Sequence, residues 1–115
     1  MSKDITQLCM GDEFYLFNSE TIDKEINNTS IGNYALLSVD ENKLFIVKYV
    51  GRGEVKKRLK DHFKEYHDID YFSFSYKNTE KEMVIEECRL YHYFKPIYND
   101  NHPSMINNLE CPYCK

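Results

Sequence analysis

A glutamate stands within the apolar stripe of a predicted helix near the C-terminal end of the chain. Apolar residues follow i, i+3, i+4 and i+7 spacing from Met83 to Phe94, and Glu87 falls in the middle of that face. A carboxylate among apolar side chains is costly to bury unless it is paired, protonated or bound to a metal ion. Glu87 is therefore the first candidate for chemistry.

Four further side chains are predicted to converge near Glu87. A hairpin centred on the turn residues 40–42 would place Tyr34 directly opposite Tyr49, at the strand end away from the turn. Arg58 and His62 lie four residues apart on the next predicted helix, so their side chains occupy adjacent turns. A cross-strand tyrosine pair alone would only stabilise the sheet, so the expectation of a site rests on the whole group.

This combination of side chains suits metal-assisted attack on a phosphodiester, although it would fit other reactions too. A carboxylate can hold Mg²⁺, whose charge stabilises a developing oxyanion. The guanidinium group of an arginine can bind the phosphate through two hydrogen bonds. A cation lowers the pKa of a nearby tyrosine, which can then help to deprotonate water. Because the group contains one carboxylate, we expect a single Mg²⁺ or Mn²⁺ ion, held by Glu87.

The elements that must position these residues follow from the hydrophobic pattern. Strands are predicted over residues 33–39, 43–50 and 70–76, and helices over 55–66 and 79–94. Thr79 and Glu82 form a capping box at the start of the second helix. Both hairpin strands are nearly continuous in apolar residues, which predicts a sheet covered on both faces. The order β-β-α-β-α predicts an α+β fold, with a short three-stranded antiparallel sheet flanked by helices.

The bulk composition is that of one soluble globular domain. The chain has 115 residues, of which 42% are hydrophobic and 30% charged, and its formal net charge is −4. No apolar run is long enough to span a membrane, and the N-terminus lacks a signal-peptide pattern, so we expect a cytoplasmic location. The chain divides into an acidic N-terminal extension (1–31), a core domain (32–100) and a C-terminal tail (101–115).

The tail carries a CxxC pair that is half of a zinc-binding pattern. Cys111 and Cys114 are its members, and either Cys9 or His102 could complete the site. A tail without metal is the alternative, because a second CxxC or a nearby HxxxH is missing. In a reducing compartment the cysteines are expected to be free thiols.

Positive charge is concentrated around the first predicted helix. The net charge argues against a generic polyanion binder, but affinity for nucleic acid follows local basic surface rather than the total. A solvated helix face is the alternative explanation for such a run. The candidate nucleic-acid-binding residues are Arg52, Lys56, Lys57, Lys60 and Lys64.

Taken in order, several short motifs resemble those of the GIY-YIG nuclease family. They are Gly32-Asn33-Tyr34, Tyr49-Val50-Gly51, the Arg58 and His62 pair, Glu87, and Lys95-Pro96-Ile97-Tyr98-Asn99. The resemblance covers residues 32–99. It implies a three-stranded antiparallel sheet flanked by helices, and cleavage of DNA with a divalent metal ion. By matching position, Asn99 would support the site through hydrogen bonds.

The resemblance also implies a role for each of the five converging residues. Tyr34 would be the general base for the attacking water, and Tyr49 would position water or phosphate. Arg58 would stabilise the scissile phosphate, while Glu87 would hold the metal ion. His62 would assist proton transfer.

The chain departs from the family pattern in its spacing and at one motif residue. Asn33 replaces the family's isoleucine, and it should face away from Tyr34, so we expect the change to be tolerated. The hairpin is a few residues longer than usual. The segment from Tyr49 to Arg58 is one residue shorter, and we expect the two glycines of residues 51–53 to absorb the difference.

We therefore expect a metal-dependent DNA endonuclease. The alternatives are a catalytically inactive nucleic-acid-binding module on the same fold and a zinc-linked interaction domain. A chain of 115 residues leaves little room for a separate DNA-reading domain. Specificity would then come from homodimerisation or from a partner protein.

Overall fold

Over residues 3–27 and 29–114, which the computed structural model describes, four strands form one antiparallel sheet and three α-helices pack on it. The strands are β1 (Tyr15–Leu16), β2 (Ile31–Val39), β3 (Phe45–Glu54) and β4 (Tyr71–Tyr76). The helices are α1 (Ser19–Glu25), α2 (Val55–Glu65) and α3 (Glu80–Phe94). The strand order in the sheet is β1-β4-β2-β3. No helix in these ranges is long and apolar enough to cross a membrane.

The prediction of a three-stranded sheet is wrong, because the N-terminal segment supplies a fourth strand. In β1, Tyr15 pairs with Phe72 and Leu16 pairs with Tyr71 of β4. The amide of Phe17 continues this contact by donating to the Asp70 carbonyl at 3.0 Å. A two-residue strand is too short for an alternating pattern to reveal it in the sequence.

The N-terminal segment also packs into both hydrophobic layers of the fold. Ile22 and Ile26 are buried in the layer between the sheet and the helices α1 and α2. Leu8 and Met10 are buried in the layer on the opposite face, with α3. The side chains of β2 alternate between these two layers, and the strand interior is buried throughout. Strand β2 is therefore covered on both faces.

The predicted pairing of Tyr34 with Tyr49 across the hairpin is also wrong. Tyr34 lies opposite Gly51, and Tyr49 lies opposite Leu36. The register shifts next to Leu36, where Lys48 is the extra residue of a β-bulge. The two tyrosines are therefore diagonal neighbours, and their rings still stack with centroids 6.2 Å apart.

The observed register explains why residue 51 is a glycine. A Cβ at Gly51 would lie 2.5 Å from Cζ of Tyr34 and 3.0 Å from Cε2 of Tyr49. Tyr34 is fully buried, so its ring has little room to move away. We expect Gly51→Ala to lower the free energy of unfolding by about 1–3 kcal/mol, because the added methyl group overpacks the core. Urea denaturation measures this loss.

Gly11→Ala is the control for backbone strain without a steric clash. Gly11 has φ +82°, and no atom lies within 4 Å of the position that a Cβ would take. Its loss of stability should be smaller than that of Gly51→Ala. Equal losses in the two variants would mean that the tyrosine rings yield to the added methyl group.

Candidate active site

A polar groove of about 420 Å³ lies between β3, α2, α3 and the segment that follows α3. The predicted site residues that line it are Tyr49, Arg52, Arg58, Glu87 and Asn99. Residues 98–104 form the wall contributed by the C-terminal segment. The fold thus brings most of the predicted group together, along with residues that were not predicted, among them Asp100.

Glu87 is buried and paired with an arginine at the side of this groove. Its side chain is 10% exposed, and its carboxylate accepts a hydrogen bond from Nη1 of Arg52. Burial raises the pKa of Glu87, whereas the hydrogen bond from Arg52 and the charges of Arg52 and Arg58 lower it. Arg52, predicted as a nucleic-acid contact, is therefore the partner of the predicted metal ligand. A cation bound by Glu87 would have to share the carboxylate with Arg52 or displace it.

Tyr34 lies behind the groove at the start of a chain of hydrogen bonds. Its hydroxyl is 2.8 Å from Nε2 of His62, whose Nδ1 is 3.3 Å from Oε1 of Glu65. Because an ionised carboxylate only accepts hydrogen bonds, we assign the ring proton of His62 to Nδ1. Nε2 then accepts the proton of the Tyr34 hydroxyl. Glu65, which ends the chain at the surface, was not predicted from the sequence.

Burial sets the protonation states along this chain. It raises the pKa of Tyr34 far above the usual range, although the charge and hydrogen bond of Arg58 oppose the shift. It also lowers the pKa of His62, with the hydrogen bond of Glu65 acting against it. At neutral pH both side chains are therefore uncharged. Tyr34 can therefore accept a proton only as it passes its own proton to His62.

Tyr49 and Arg58 connect the buried chain to the groove. The Tyr49 ring lies 4.7 Å from the His62 ring, centroid to centroid. Arg58 is exposed in the groove, and its positive charge opposes the rise in the pKa of the Tyr34 hydroxyl. Gly53 adopts φ +131°, and a Cβ there would lie 3.4 Å from Cγ of Arg58. Gly53, near the end of β3, therefore leaves room for the side chain of Arg58.

Asn99 fastens the wall of the groove to the edge of the sheet. Its Oδ1 accepts from the Val50 amide, and its Nδ2 donates to the Val50 carbonyl, both at 2.9 Å. The preceding amide, of Tyr98, donates to the Lys48 carbonyl at 2.9 Å. The side chain of Asn99 thus occupies hydrogen-bonding groups of an edge strand in the way that another strand would.

The basic face of α2 carries several ion pairs. Nζ of Lys57 lies 3.2 Å from the carboxylate of Asp61, one turn later on the same helix. Lys56 lies 3.7 Å from the carboxylate of Asp23 on α1, and Lys60 pairs with the same carboxylate. Lys64 is exposed on the same helix. Helix α1 therefore brings negative charge onto the predicted nucleic-acid surface.

Beside the end of α3, four histidine and cysteine side chains form a cluster. They are His92, His102, Cys111 and Cys114, and their ligand atoms all lie within 4.8 Å of one another. This His/Cys cluster could hold a metal ion. Of the two residues predicted to complete the CxxC site, His102 belongs to the cluster and Cys9 does not.

Neither a protein-family model, nor a curated protein, nor a solved structure matches this chain.

His92 is the cluster member that was not predicted from the sequence. The spacing His-x9-His-x8-Cys-x2-Cys is visible along the chain, but it is looser than the common zinc patterns. His92 also falls in the last turn of α3, where a basic residue is ordinary. In the cluster, burial raises the pKa of Cys111, but hydrogen bonds from Cys88 and other neighbours lower it to about 6. A thiol with this pKa has thiolate character.

Proposed function

We propose that this protein is a metal-dependent endonuclease that hydrolyses phosphodiester bonds of DNA. The observation that supports it best is the meeting of one buried carboxylate, Glu87, and two arginines, Arg52 and Arg58, at a single polar groove. Arginines bind phosphate oxygens, and a carboxylate binds the divalent ion that accompanies a phosphate. The resemblance of the ordered motifs to GIY-YIG nucleases points to the same activity.

The ion proposed at Glu87 is Mg²⁺ or Mn²⁺. Both prefer oxygen ligands, and the groove offers them in the carboxylates of Glu87 and Asp100. When bound, the ion supplies positive charge that stabilises the oxyanion developing on the phosphate. The His/Cys cluster has softer ligands and is a separate candidate site.

Each groove residue has a proposed task that follows from its position. Arg58, exposed and beside Tyr34, binds the scissile phosphate. Tyr49 borders the groove and orients water or phosphate oxygen. Tyr34 accepts the proton of the attacking water as its own proton moves to Nε2 of His62.

DNA would approach across the groove and the basic face of α2. Lys57 and Lys64 are exposed there, and phosphate contacts of this kind bind without reading sequence. Since phosphate contacts carry no sequence information, the preference that this surface supplies should be weak. Stronger specificity would require homodimerisation or a partner protein.

Cleavage of supercoiled plasmid tests the proposal directly. We expect nicked or linear product with Mg²⁺ or Mn²⁺, and none with EDTA. Binding of a labelled duplex should weaken steeply as salt rises, because phosphate contacts release counterions. If the protein binds DNA in this way but yields no product with either ion, it is an inactive nucleic-acid-binding module. In that case the endonuclease proposal fails.

A further inference from the structure

We infer that His92, His102, Cys111 and Cys114 form a structural zinc site that fastens the C-terminal segment to α3. This inference does not depend on the proposed nuclease activity. Two thiolates and two imidazoles are a common ligand set for structural zinc, and they are unsuited to Mg²⁺.

The distances within the cluster suit one tetrahedral ion. Zinc–sulfur bonds of about 2.3 Å and zinc–nitrogen bonds of about 2.0–2.1 Å imply about 3.6 Å between sulfur and nitrogen ligands. Sγ of Cys114 lies 3.3 Å from Nε2 of His92 and 3.2 Å from Nε2 of His102. Shifts of a few tenths of an ångström would therefore bring these three ligand atoms to zinc geometry, with Cys111 as the fourth ligand.

The imidazole of His102 is already oriented to bind a metal ion. Its Nδ1 lies 2.8 Å from the Pro103 carbonyl oxygen, which can only accept a hydrogen bond. The ring proton is therefore on Nδ1, and the lone pair of Nε2 points toward Cys114. A backbone carbonyl that fixes the tautomer in this way is typical of zinc-bound histidine.

Aromatic packing holds both histidines in place. The His92 and His102 rings lie 5.3 Å apart, centroid to centroid. The Tyr91 ring packs edge-on against both of them, at 5.3 Å and 5.4 Å. The two imidazoles would thus lose little side-chain freedom on binding an ion, which favours affinity.

A zinc ion would anchor the part of the C-terminal segment that follows Asn99. Residues 95–114 contain no helix or strand, and Asn99 ties only the beginning of this segment to the sheet. The ligands join the last turn of α3 to three points on the segment. His102 also lines the groove, so the same ion would stabilise the groove wall.

Metal analysis of the untagged 115-residue chain tests the inference. After purification without chelators, we expect inductively coupled plasma mass spectrometry to find about one zinc ion per chain. Cys114→Ser and His102→Asn should each lose most of this zinc. Cys9→Ser and His67→Asn are the matched controls, because both residues are exposed and outside the cluster, and they should keep it. A zinc-free wild type, or a Cys114→Ser variant that keeps as much zinc as Cys9→Ser, would overturn the inference.

Cobalt spectroscopy of the wild type covers the case in which the variants fail to fold. The protein is stripped with a chelator and titrated with Co²⁺. We expect strong visible bands of tetrahedral Co²⁺ with thiolate charge transfer, which added Zn²⁺ removes. A weak octahedral spectrum without thiolate bands would contradict the site. Since no DNA is involved, a protein that binds zinc but does not cut DNA would retain this inference and lose the proposed function.

Discussion

Glu87→Gln should abolish metal-dependent DNA cleavage and leave the fold intact. Glutamine keeps the shape of the side chain, and its amide oxygen can still accept the hydrogen bond from Arg52. It carries no charge to hold a divalent ion. We expect the nicking rate to fall by at least about 100-fold, more than the loss typical of an outer-shell partner. Plasmid nicking at saturating Mg²⁺ measures the effect.

The neighbouring carboxylate provides a matched control for this substitution. Glu86 pairs with Arg89 at 2.8 Å and does not line the groove. Glu86→Gln should therefore cut DNA at the wild-type rate. DNA affinity measured in EDTA should be unchanged or tighter for Glu87→Gln, because the substitution removes negative charge from the groove. Cleavage by Glu87→Gln at the wild-type rate would rule out its role as metal ligand.

Helices α2 and α3 were predictable because their signals are local. The capping box of Thr79 and Glu82 is present, and α3 spans Glu80–Phe94, close to the predicted 79–94. Strand β1 had no such signal, since its two residues pair with a strand more than fifty residues away. The prediction of three strands failed for this reason.

The hairpin register could not be obtained from the pattern of β2 and β3. A register error usually places apolar side chains on a solvent face, which makes the wrong register recognisable. In β2 the side chains from Gly32 to Ser38 are buried on both faces, so a shift leaves no such mismatch. The register is already one residue off at the turn, where Val39 pairs with Phe45, and the bulge at Lys48 adds a second residue to the shift.

The site residues divide in the same way, into those with a local signal and those that depend on tertiary contacts. Glu87 was predictable because the cost of burying a carboxylate is visible in the helical pattern alone. Its partner Arg52 depends on how β3 meets α3, which is a tertiary contact. His92 and Glu65 likewise gain their significance only from side chains that the fold brings beside them.

Tyr34→Phe should lower the cleavage rate by about 10²–10⁴-fold, the usual contribution of a general acid–base group. The substitution removes one buried hydroxyl and with it the first link of the chain to His62. Tyr66→Phe is the matched control. The Tyr66 ring stacks on the His62 ring at 5.7 Å, but its hydroxyl is not part of the chain. An undiminished rate in Tyr34→Phe would assign the base to another residue.

The pH profile distinguishes this proton path from a purely structural role of Tyr34. His62 must be neutral to accept a proton, and burial lowers its pKa below the ordinary value of about 6.5. Cleavage by the wild type should therefore be constant above pH 6.5 and decline as pH falls through the lowered pKa. The free energy of unfolding should decline over the same range, because the folded state resists protonation of His62 more than the unfolded state does. Tyr34→Phe should retain the decline in stability and lose the acid limb of its residual cleavage, since His62 acts on the reaction only through the Tyr34 hydroxyl. An acid limb that persists in Tyr34→Phe would contradict the path.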